Sequence, residues 1–152
     1  MNIVFLDVDG VLNSKNELIR VWNETHKPHS GYNYPFDKKC LLNLRKIVVN
    51  TNSKIVITST WRKDEKGRNI LYDTLKLYGL EQYIIGYTPI LDVSRGEEIK
   101  QYLSEHECDN FVILDDDSDM GDLIFFLIKT NRQFGLTEVD AEKAIKKLNK
   151  IK

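Results

Sequence analysis

The chain has 152 residues and a mass of 17.7 kDa, which is the size of one ordinary domain. Hydrophobic residues make up 41% of the sequence and charged residues 30%, which disfavours collagen-like, low-complexity and globally disordered chains. The 22 basic and 23 acidic residues leave a formal net charge of -1, so no extended footprint for duplex nucleic acid or for an anionic membrane is expected.

Apolar runs and cysteines indicate the cellular setting. The longest uninterrupted apolar run, 123–128, is far shorter than the ~20 residues that a membrane-spanning helix needs. Near the N-terminus, Asp7 and Asp9 interrupt the apolar start before it reaches the length of a signal peptide. We therefore expect a cytoplasmic protein with no membrane partner. Cys40 and Cys108 match no metal-binding pattern and predict reduced thiols.

The first predicted strand, 2–6, runs directly into Asp7, Asp9 and Gly10. Two carboxylates spaced by two in an extended chain point to the same side, and a hard divalent cation such as Mg²⁺ is the simplest relief for their repulsion. Gly10 lets the backbone turn sharply beneath a ligand. By itself this motif is weak, because calcium loops contain it as well.

Segment 14–36 interrupts the alternation of strands and helices. It shows no sustained period, so we predict a flap-like insertion over the ends of the strands. Its aromatic and histidine side chains are Trp22, His26, His29, Tyr32, Tyr34 and Phe36. The aromatic rings have two possible roles. They could stack on a base of the substrate, or they could anchor the flap to the rest of the domain.

A helix is predicted over 37–50 and a second strand over 54–57, which ends in Thr58, Ser59 and Thr60. Hydroxyl and backbone N–H groups at a strand end bind phosphate oxygens without adding charge. The β-branched threonines are equally well explained by the strand itself. These hydroxyls therefore indicate a phosphate site only in combination with the other motifs.

The next predicted elements are a helix over 68–78, a third strand over 83–86 and a helix over 97–103. Arg95 stands just before the last of these helices. An arginine at that place can neutralise the charge of a phosphate. In isolation, a surface arginine beside two glutamates explains the residue equally well.

The fourth predicted strand, 111–114, ends in a second acidic run, which begins with Asp115 and Asp116. No basic residue lies near this run in the sequence, so its counter-charge must come from elsewhere. An EF-hand loop starting at Asp115 is excluded, because its twelfth position holds Phe126 where glutamate is required. A solvated acidic turn remains the alternative to a metal site.

A fifth strand is predicted over 124–128 and a last helix over 138–151, which Thr137 is placed to cap. Together the elements predict one α/β domain spanning residues 1–152, with a mainly parallel sheet flanked by helices. The flap at 14–36 is the one insertion, so no large cap domain is expected to enclose the site.

In order and spacing, these motifs resemble the haloacid dehalogenase-like (HAD) superfamily of phosphatases and phosphotransferases. The stretches FLDVDGVLN, ITSTWR, YTP, RGEEI and VILDDDSDM are similar, more narrowly, to the HAD domain of Swiss army knife RNA repair proteins. The resemblance covers nearly the whole chain. It implies a three-layer Rossmannoid fold and a Mg²⁺-dependent phosphomonoesterase that forms an aspartyl-phosphate.

The resemblance also implies roles for the acidic residues. Asp7 is expected to be the nucleophile and Asp9 the general acid/base. The expected Mg²⁺ ligands are Asp7, Asp9, Asp115 and Asp116. A carboxylate that attacks a phosphate dianion faces charge repulsion, so neutralisation and in-line positioning are what such a site must supply.

For phosphate binding, the resemblance implies Ser59 as the hydroxyl and Arg95 as the cation. Thr60, beside Ser59, is also expected to bind phosphate, and Thr58 is the alternative to Ser59 because three hydroxyl residues follow one another. Many relatives carry lysine where this chain has Arg95, so Lys100 is the alternative cation. With only a small flap, the site is expected to be open, which favours a nucleotide or a polynucleotide end over a small enclosed metabolite.

Two other classes of protein remain open. A receiver-like signalling domain also combines early acids, a parallel sheet and Mg²⁺, but it needs an aspartate at the end of a middle strand, where this chain has hydroxyl residues. A non-catalytic module that binds metal or phosphate is disfavoured by the presence of every expected catalytic group.

Overall fold

The computed structural model describes residues 1–149, and its five strands form one parallel sheet. The strands are β1 (Asn2–Leu6), β2 (Ser53–Ile57), β3 (Ile84–Tyr87), β4 (Asn110–Asp115) and β5 (Leu127–Lys129). Their order across the sheet is β3-β2-β1-β4-β5, so β1 is the central strand. Apolar side chains fill β1, β2 and β4 because helices cover both faces of a parallel sheet.

The α-helices lie between the strands or follow them. They are α1 (Lys15–Thr25), α2 (Lys38–Thr51), α3 (Glu65–Lys76), α4 (Arg95–Glu105) and α5 (Glu138–Leu148). Each begins after a polar side chain that accepts a hydrogen bond from a backbone N–H of the first turn. These capping residues are Ser14, Asp37, Asp64, Ser94 and Thr137. The predicted role of Thr137 as a cap is confirmed.

Alternation along β1 divides the core into two layers. Val4 and Leu6 lie in the larger layer, which α2, α3 and α5 cover. Ile3 and Phe5 lie in the smaller layer, which α4 covers. The result is the three-layer Rossmannoid arrangement that the sequence predicted.

Most of the predicted bounds agree with the structure. Those of β1 are confirmed, and those of β2, β3 and β4 differ by at most one residue at each end. The strand predicted over 124–128 is wrong in its first half, because Gly121–Phe126 forms a 3-10 helix. A parallel β5 requires the chain to return across the sheet, and this short helix makes that return. The predicted end of the last helix, at 151, lies outside the described residues.

Segment 14–36, whose sequence shows no sustained period, nevertheless includes regular structure. It contains α1 and a 3-10 turn at Gly31–Asn33. None of the residues of α1 is fully buried. Its apolar stripe of Leu18, Val21 and Trp22 is one turn long and does not continue through the rest of the segment, so no sustained period shows in the sequence. Within residues 1–149, no helix combines the length and the apolar character of a membrane span.

Candidate active site

The carboxyl ends of β1, β2 and β4 meet at the centre of the sheet. Leu6 pairs with Ile57 of β2 and with Leu114 of β4. The next residue of each strand or strand end is therefore Asp7, Thr58 and Asp115, side by side. A cavity of about 390 Å³ lies at this edge, and both Asp7 and Asp115 line it. We call it the first cavity.

Three carboxylates converge in the first cavity. Asp7, Asp115 and Asp116 each offer an oxygen, and these oxygens lie within 4.8 Å of one another. Burial raises the pKa of Asp7 well above its usual value, and the nearby Asp115 carboxylate raises it further. Burial also raises the pKa of Asp115, against the opposing charge of Arg95. An all-oxygen donor set of this kind fits a hard divalent cation.

Two arginines supply the counter-charge that the acidic run lacks. The Nη1 atom of Arg95 lies 3.0 Å from Asp7 Oδ1 and 2.7 Å from Asp115 Oδ2. Arg132 donates from Nε to Asp116 Oδ2 at 2.9 Å. Arg95 reaches both carboxylates because it begins α4, beside the ends of β1 and β4. Lys100, the alternative cation, instead pairs with the exposed Asp122 at 2.8 Å and lies outside this cluster.

Asp9 lines the same cavity but does not belong to the group of three converging carboxylates. One of its oxygens accepts a hydrogen bond from Asn13 Nδ2 at 2.9 Å, and the other accepts one from Trp61 Nε1 at 3.2 Å. Gly10 follows with a φ of 80°, and a Cβ there would lie 2.6 Å from Asp116 Oδ2. Glycine is therefore required between the general acid/base candidate and the acidic cluster.

The three hydroxyl residues after β2 occupy different surroundings. Thr58 is fully buried, and its Oγ1 has no hydrogen-bond partner among the described residues. Ser59 is also buried, but its Oγ accepts a hydrogen bond from Trp61 N at 3.1 Å and so caps the 3-10 helix Thr60–Lys63. Thr60 is exposed and lines the first cavity.

A buried ion pair, which the sequence pattern did not reveal, connects the loops around this site. The Arg62 guanidinium donates hydrogen bonds to four backbone carbonyl oxygens and forms an ion pair with one carboxylate. The carbonyl oxygens belong to Thr58, Ser59, Thr88 and Pro89 and the carboxylate to Glu98, at 2.8 to 3.1 Å. The other carboxylate oxygen of Glu98 accepts from Leu91 N at 3.0 Å.

This network joins the loop after β2, the loop after β3 and the first turn of α4, which also holds Arg95. The contact between Arg62 and Glu98 therefore holds Arg95 at a fixed position relative to the hydroxyl residues that follow β2. A signal was present in the sequence, since Arg62 lies only two residues after the last hydroxyl residue, Thr60. Only the fold shows that Glu98 is its partner.

A second cavity, of about 560 Å³, adjoins the first and shares Asp9, Thr60 and Arg132 with it. Its other walls include Lys15, Tyr32 and Tyr34. Two tyrosines of segment 14–36 therefore line the same cavity as Asp9.

The remaining aromatic and histidine side chains of the segment lie elsewhere. Phe36 packs against Trp61 with ring centroids 5.5 Å apart and anchors the segment to the core. Trp22 packs against His26 at the exposed end of α1. Trp22, His26 and His29 line neither cavity.

Comparison with known proteins agrees with this geometry. Residues 3–141 match the sequence family described as the HAD domain in Swiss Army Knife RNA repair proteins. A solved structure of a haloacid dehalogenase-like family hydrolase from Streptococcus pneumoniae matches with a TM-score of 0.51 and 15% identity, over 94% of this chain and 90% of that chain. At that identity the match supports the fold alone. No protein with a curated description matches the sequence.

A five-stranded parallel sheet with paired aspartates at its central strand end is the site architecture of a HAD-type hydrolase. Within that class, the chain belongs to the family of HAD domains found in Swiss Army Knife RNA repair proteins. The resemblance found in the sequence motifs is confirmed.

Proposed function

We propose that this chain is a Mg²⁺-dependent phosphomonoesterase in which Asp7 is the nucleophile. The observation that carries the proposal is the convergence of Asp7, Asp115 and Asp116 at one sheet edge, with Arg95 bridging the first two. This arrangement combines a nucleophile, a metal-binding set and a cation for the phosphate in one cavity. We further propose that the chain forms a single catalytic domain, with 14–36 as a flap beside the site.

The carboxylates of Asp7, Asp115 and Asp116 and the backbone carbonyl of Asp9 would hold Mg²⁺. The ion would neutralise phosphate charge when bound. Asp7 attacks phosphorus, and the bond to the leaving oxygen breaks while Asp9 gives that oxygen a proton. Asp9 then takes a proton from the water that hydrolyses the aspartyl-phosphate. Asn13 and Trp61 orient the Asp9 carboxylate for both steps.

Of the hydroxyl candidates, Thr58 is better supported than Ser59 as the phosphate ligand. Thr58 stands next to Asp7 across the sheet, and its Oγ1 is buried without a partner among residues 1–149. A buried hydroxyl without a partner costs free energy, which a phosphate oxygen would offset. The Ser59 hydroxyl already caps a 3-10 helix. Thr60, at the open edge of the cavity, would contact the outer part of the phosphate.

A phosphorylated nucleotide or RNA end is the substrate that best fits the family and the openness of the site. The described chain contains no large domain over the first cavity, and the family is described from RNA repair proteins. A polymer end can enter a site of this kind without a cap having to open.

The decisive experiment is hydrolysis of p-nitrophenyl phosphate with Mg²⁺ or with EDTA. We expect activity with Mg²⁺ alone, and a loss of at least about a thousandfold for Asp7→Asn, because an amide is a poor nucleophile. Asp122→Asn is the matched control, since that carboxylate lies on the surface.

Intact-mass measurement after acid quench completes the test. Asp9→Asn should accumulate a phosphate adduct on Asp7, because the second proton transfer is lost. Equal rates with Mg²⁺ and EDTA, or an adduct on another residue, would contradict the proposal.

A further inference from the structure

The second cavity lies on the leaving-group side of the proposed reaction. It is lined by Asp9 but by neither Asp7 nor Asp115. A general acid must touch the leaving oxygen, so the group bonded to that oxygen extends past Asp9. The second cavity is the space that such a group would enter.

The two tyrosines that line this cavity differ in their contacts with the body of the domain. The ring of Tyr32 packs edge-on against Trp61 at a centroid distance of 4.9 Å, and its hydroxyl donates a hydrogen bond to Asp64. Tyr32 is therefore fixed by the body of the domain. Tyr34 is half-buried. Burial is the main cause that raises the pKa of its hydroxyl, and the nearby Asp9 charge raises that pKa further. Tyr34 thus presents a ring beside the general acid/base candidate.

The basic side chains of the cavity also differ. Arg132 already pairs with Asp116, whereas Lys15 is exposed and forms no ion pair with any residue from 1 to 149. Lys15 is the first residue of α1, where the helix dipole disfavours a cation. The backbone N–H of Lys15 donates a hydrogen bond to Arg132 O at 3.1 Å, so the side-chain ammonium is the group that remains available to a ligand.

We propose that the second cavity is a leaving-group subsite for a planar ring that bears a second anionic group, as in a nucleoside bisphosphate. Tyr34 stacks on the ring, and Lys15 pairs with the second anion. This assignment rests on the proposed phosphomonoesterase function, because that function places the leaving group beside Asp9. It identifies Tyr34 and Lys15 as specificity-determining residues.

The test compares substrates that differ in one feature at a time. Adenosine 3′,5′-bisphosphate has the ring and the second anion, and the adenosine 3′- and 5′-monophosphates have the ring alone. Butane-1,4-diol bisphosphate has the second anion without a ring. The leaving groups are all alkoxides, so differences in kcat/KM report recognition. We expect the wild type to prefer adenosine 3′,5′-bisphosphate.

Two variants separate the two contacts. Lys15→Gln should lower kcat/KM for adenosine 3′,5′-bisphosphate at least about threefold and leave the monophosphates within about twofold. Tyr34→Leu should lower kcat/KM for every adenosine substrate at least about fivefold, with little effect on butane-1,4-diol bisphosphate. Tyr34→Phe keeps the ring and should retain the wild-type preference.

The matched controls are Lys27→Gln and Trp22→Leu, which remove a cation and a ring from the same segment outside both cavities. Neither should alter the substrate preference. If Lys15→Gln and Tyr34→Leu lower all activities equally, or change nothing, the subsite assignment is wrong while the phosphatase function stands.

Binding supplies a readout that does not depend on turnover. In the Asp7→Asn background with Mg²⁺, calorimetric titration with adenosine 3′,5′-bisphosphate should show weaker binding when Lys15→Gln is added. If the wild type hydrolyses no phosphate ester, the proposed function fails. This titration then still decides the subsite, because equal affinities with and without Lys15→Gln would overturn it.

Discussion

The buried pair of Arg62 and Glu98 permits a quantitative prediction. The substitution Glu98→Gln keeps the shape of the side chain but leaves the Arg62 guanidinium charged, buried and without a counter-ion. The side chains of both residues are less than a tenth exposed. Breaking a buried pair by removing one partner costs about 3–5 kcal/mol, and we expect the lower end because four carbonyl oxygens still accept from Arg62.

A loss of about 3 kcal/mol corresponds to a fall in Tm of about 6–12 °C for a domain of this size. Urea unfolding, followed by the fluorescence of the buried Trp61, measures it directly. Asp122→Asn breaks an exposed pair and should cause no measurable loss. A change of less than about 0.5 kcal/mol for Glu98→Gln would refute the reasoning, since that is the range of ordinary surface substitutions.

A double variant, Arg62→Met with Glu98→Leu, separates charge from hydrogen bonding. An apolar replacement of a buried ion pair is often neutral when the pair contributes only its charges. Here the double variant also leaves four carbonyl oxygens without their donor, so we expect it to remain less stable than the wild type. Recovery of wild-type stability would show that these four hydrogen bonds contribute little.

Three further predictions concern the site. Without Mg²⁺, the free energy of unfolding should fall as the pH rises from about 4 toward the raised pKa values of Asp7 and Asp115, because the folded state retains protons that the unfolded state has released. Urea titrations between pH 4 and 8 should show a smaller fall for Asp7→Asn than for the wild type. An equal fall in the two proteins would contradict the assignment. Thr58→Val should weaken inhibition by inorganic phosphate or vanadate at least about fivefold, and Ser59→Ala should weaken it less, because a hydrogen bond to a charged group contributes more than a helix cap. A larger loss of inhibition for Ser59→Ala would favour Ser59 as the phosphate ligand. Gly10→Ala should lower the affinity for Mg²⁺ in calorimetry at least about tenfold, because its Cβ would displace a carboxylate of the acidic cluster; wild-type affinity would show that the loop adapts.

The acidic half of the site could be predicted from the sequence, for a topological reason. Asp7 and Asp115 each come directly after an apolar strand, and parallel strands of one sheet end at the same edge. The adjacency of β4 and β1 is what brings the two carboxylates into contact, and the motifs alone did not establish that adjacency. The roles of these residues, by contrast, came from the resemblance to a family.

The choice between Thr58 and Ser59 could not be made from the sequence. Alternation predicts that only one of two neighbours points into the site, but it does not fix where the strand ends. The 3-10 helix that begins at Thr60 uses Ser59 as its cap, and this local event decides the surroundings of both hydroxyls.

The sequence also could not reveal α1 or the pairing of Arg62 with Glu98. Helix α1 buries no residue fully, and its one-turn apolar stripe of Leu18, Val21 and Trp22 does not extend into the rest of segment 14–36. Arg62 lies in the 3-10 helix after β2 and Glu98 in α4, far apart in the sequence. Charged residues are usually expected at the surface. Their burial follows from tertiary packing of α4 against the loop after β2.

The bridge that Arg95 forms between Asp7 and Asp115 has a consequence for how the site is loaded with metal. Arg95 holds the two carboxylates side by side, because folding of α4 against β1 and β4 brings their counter-charge into place. Loading therefore needs no gathering of ligands from separate parts of the chain. The slow step in acquiring Mg²⁺ should be the shedding of its hydration water, which this ion gives up reluctantly.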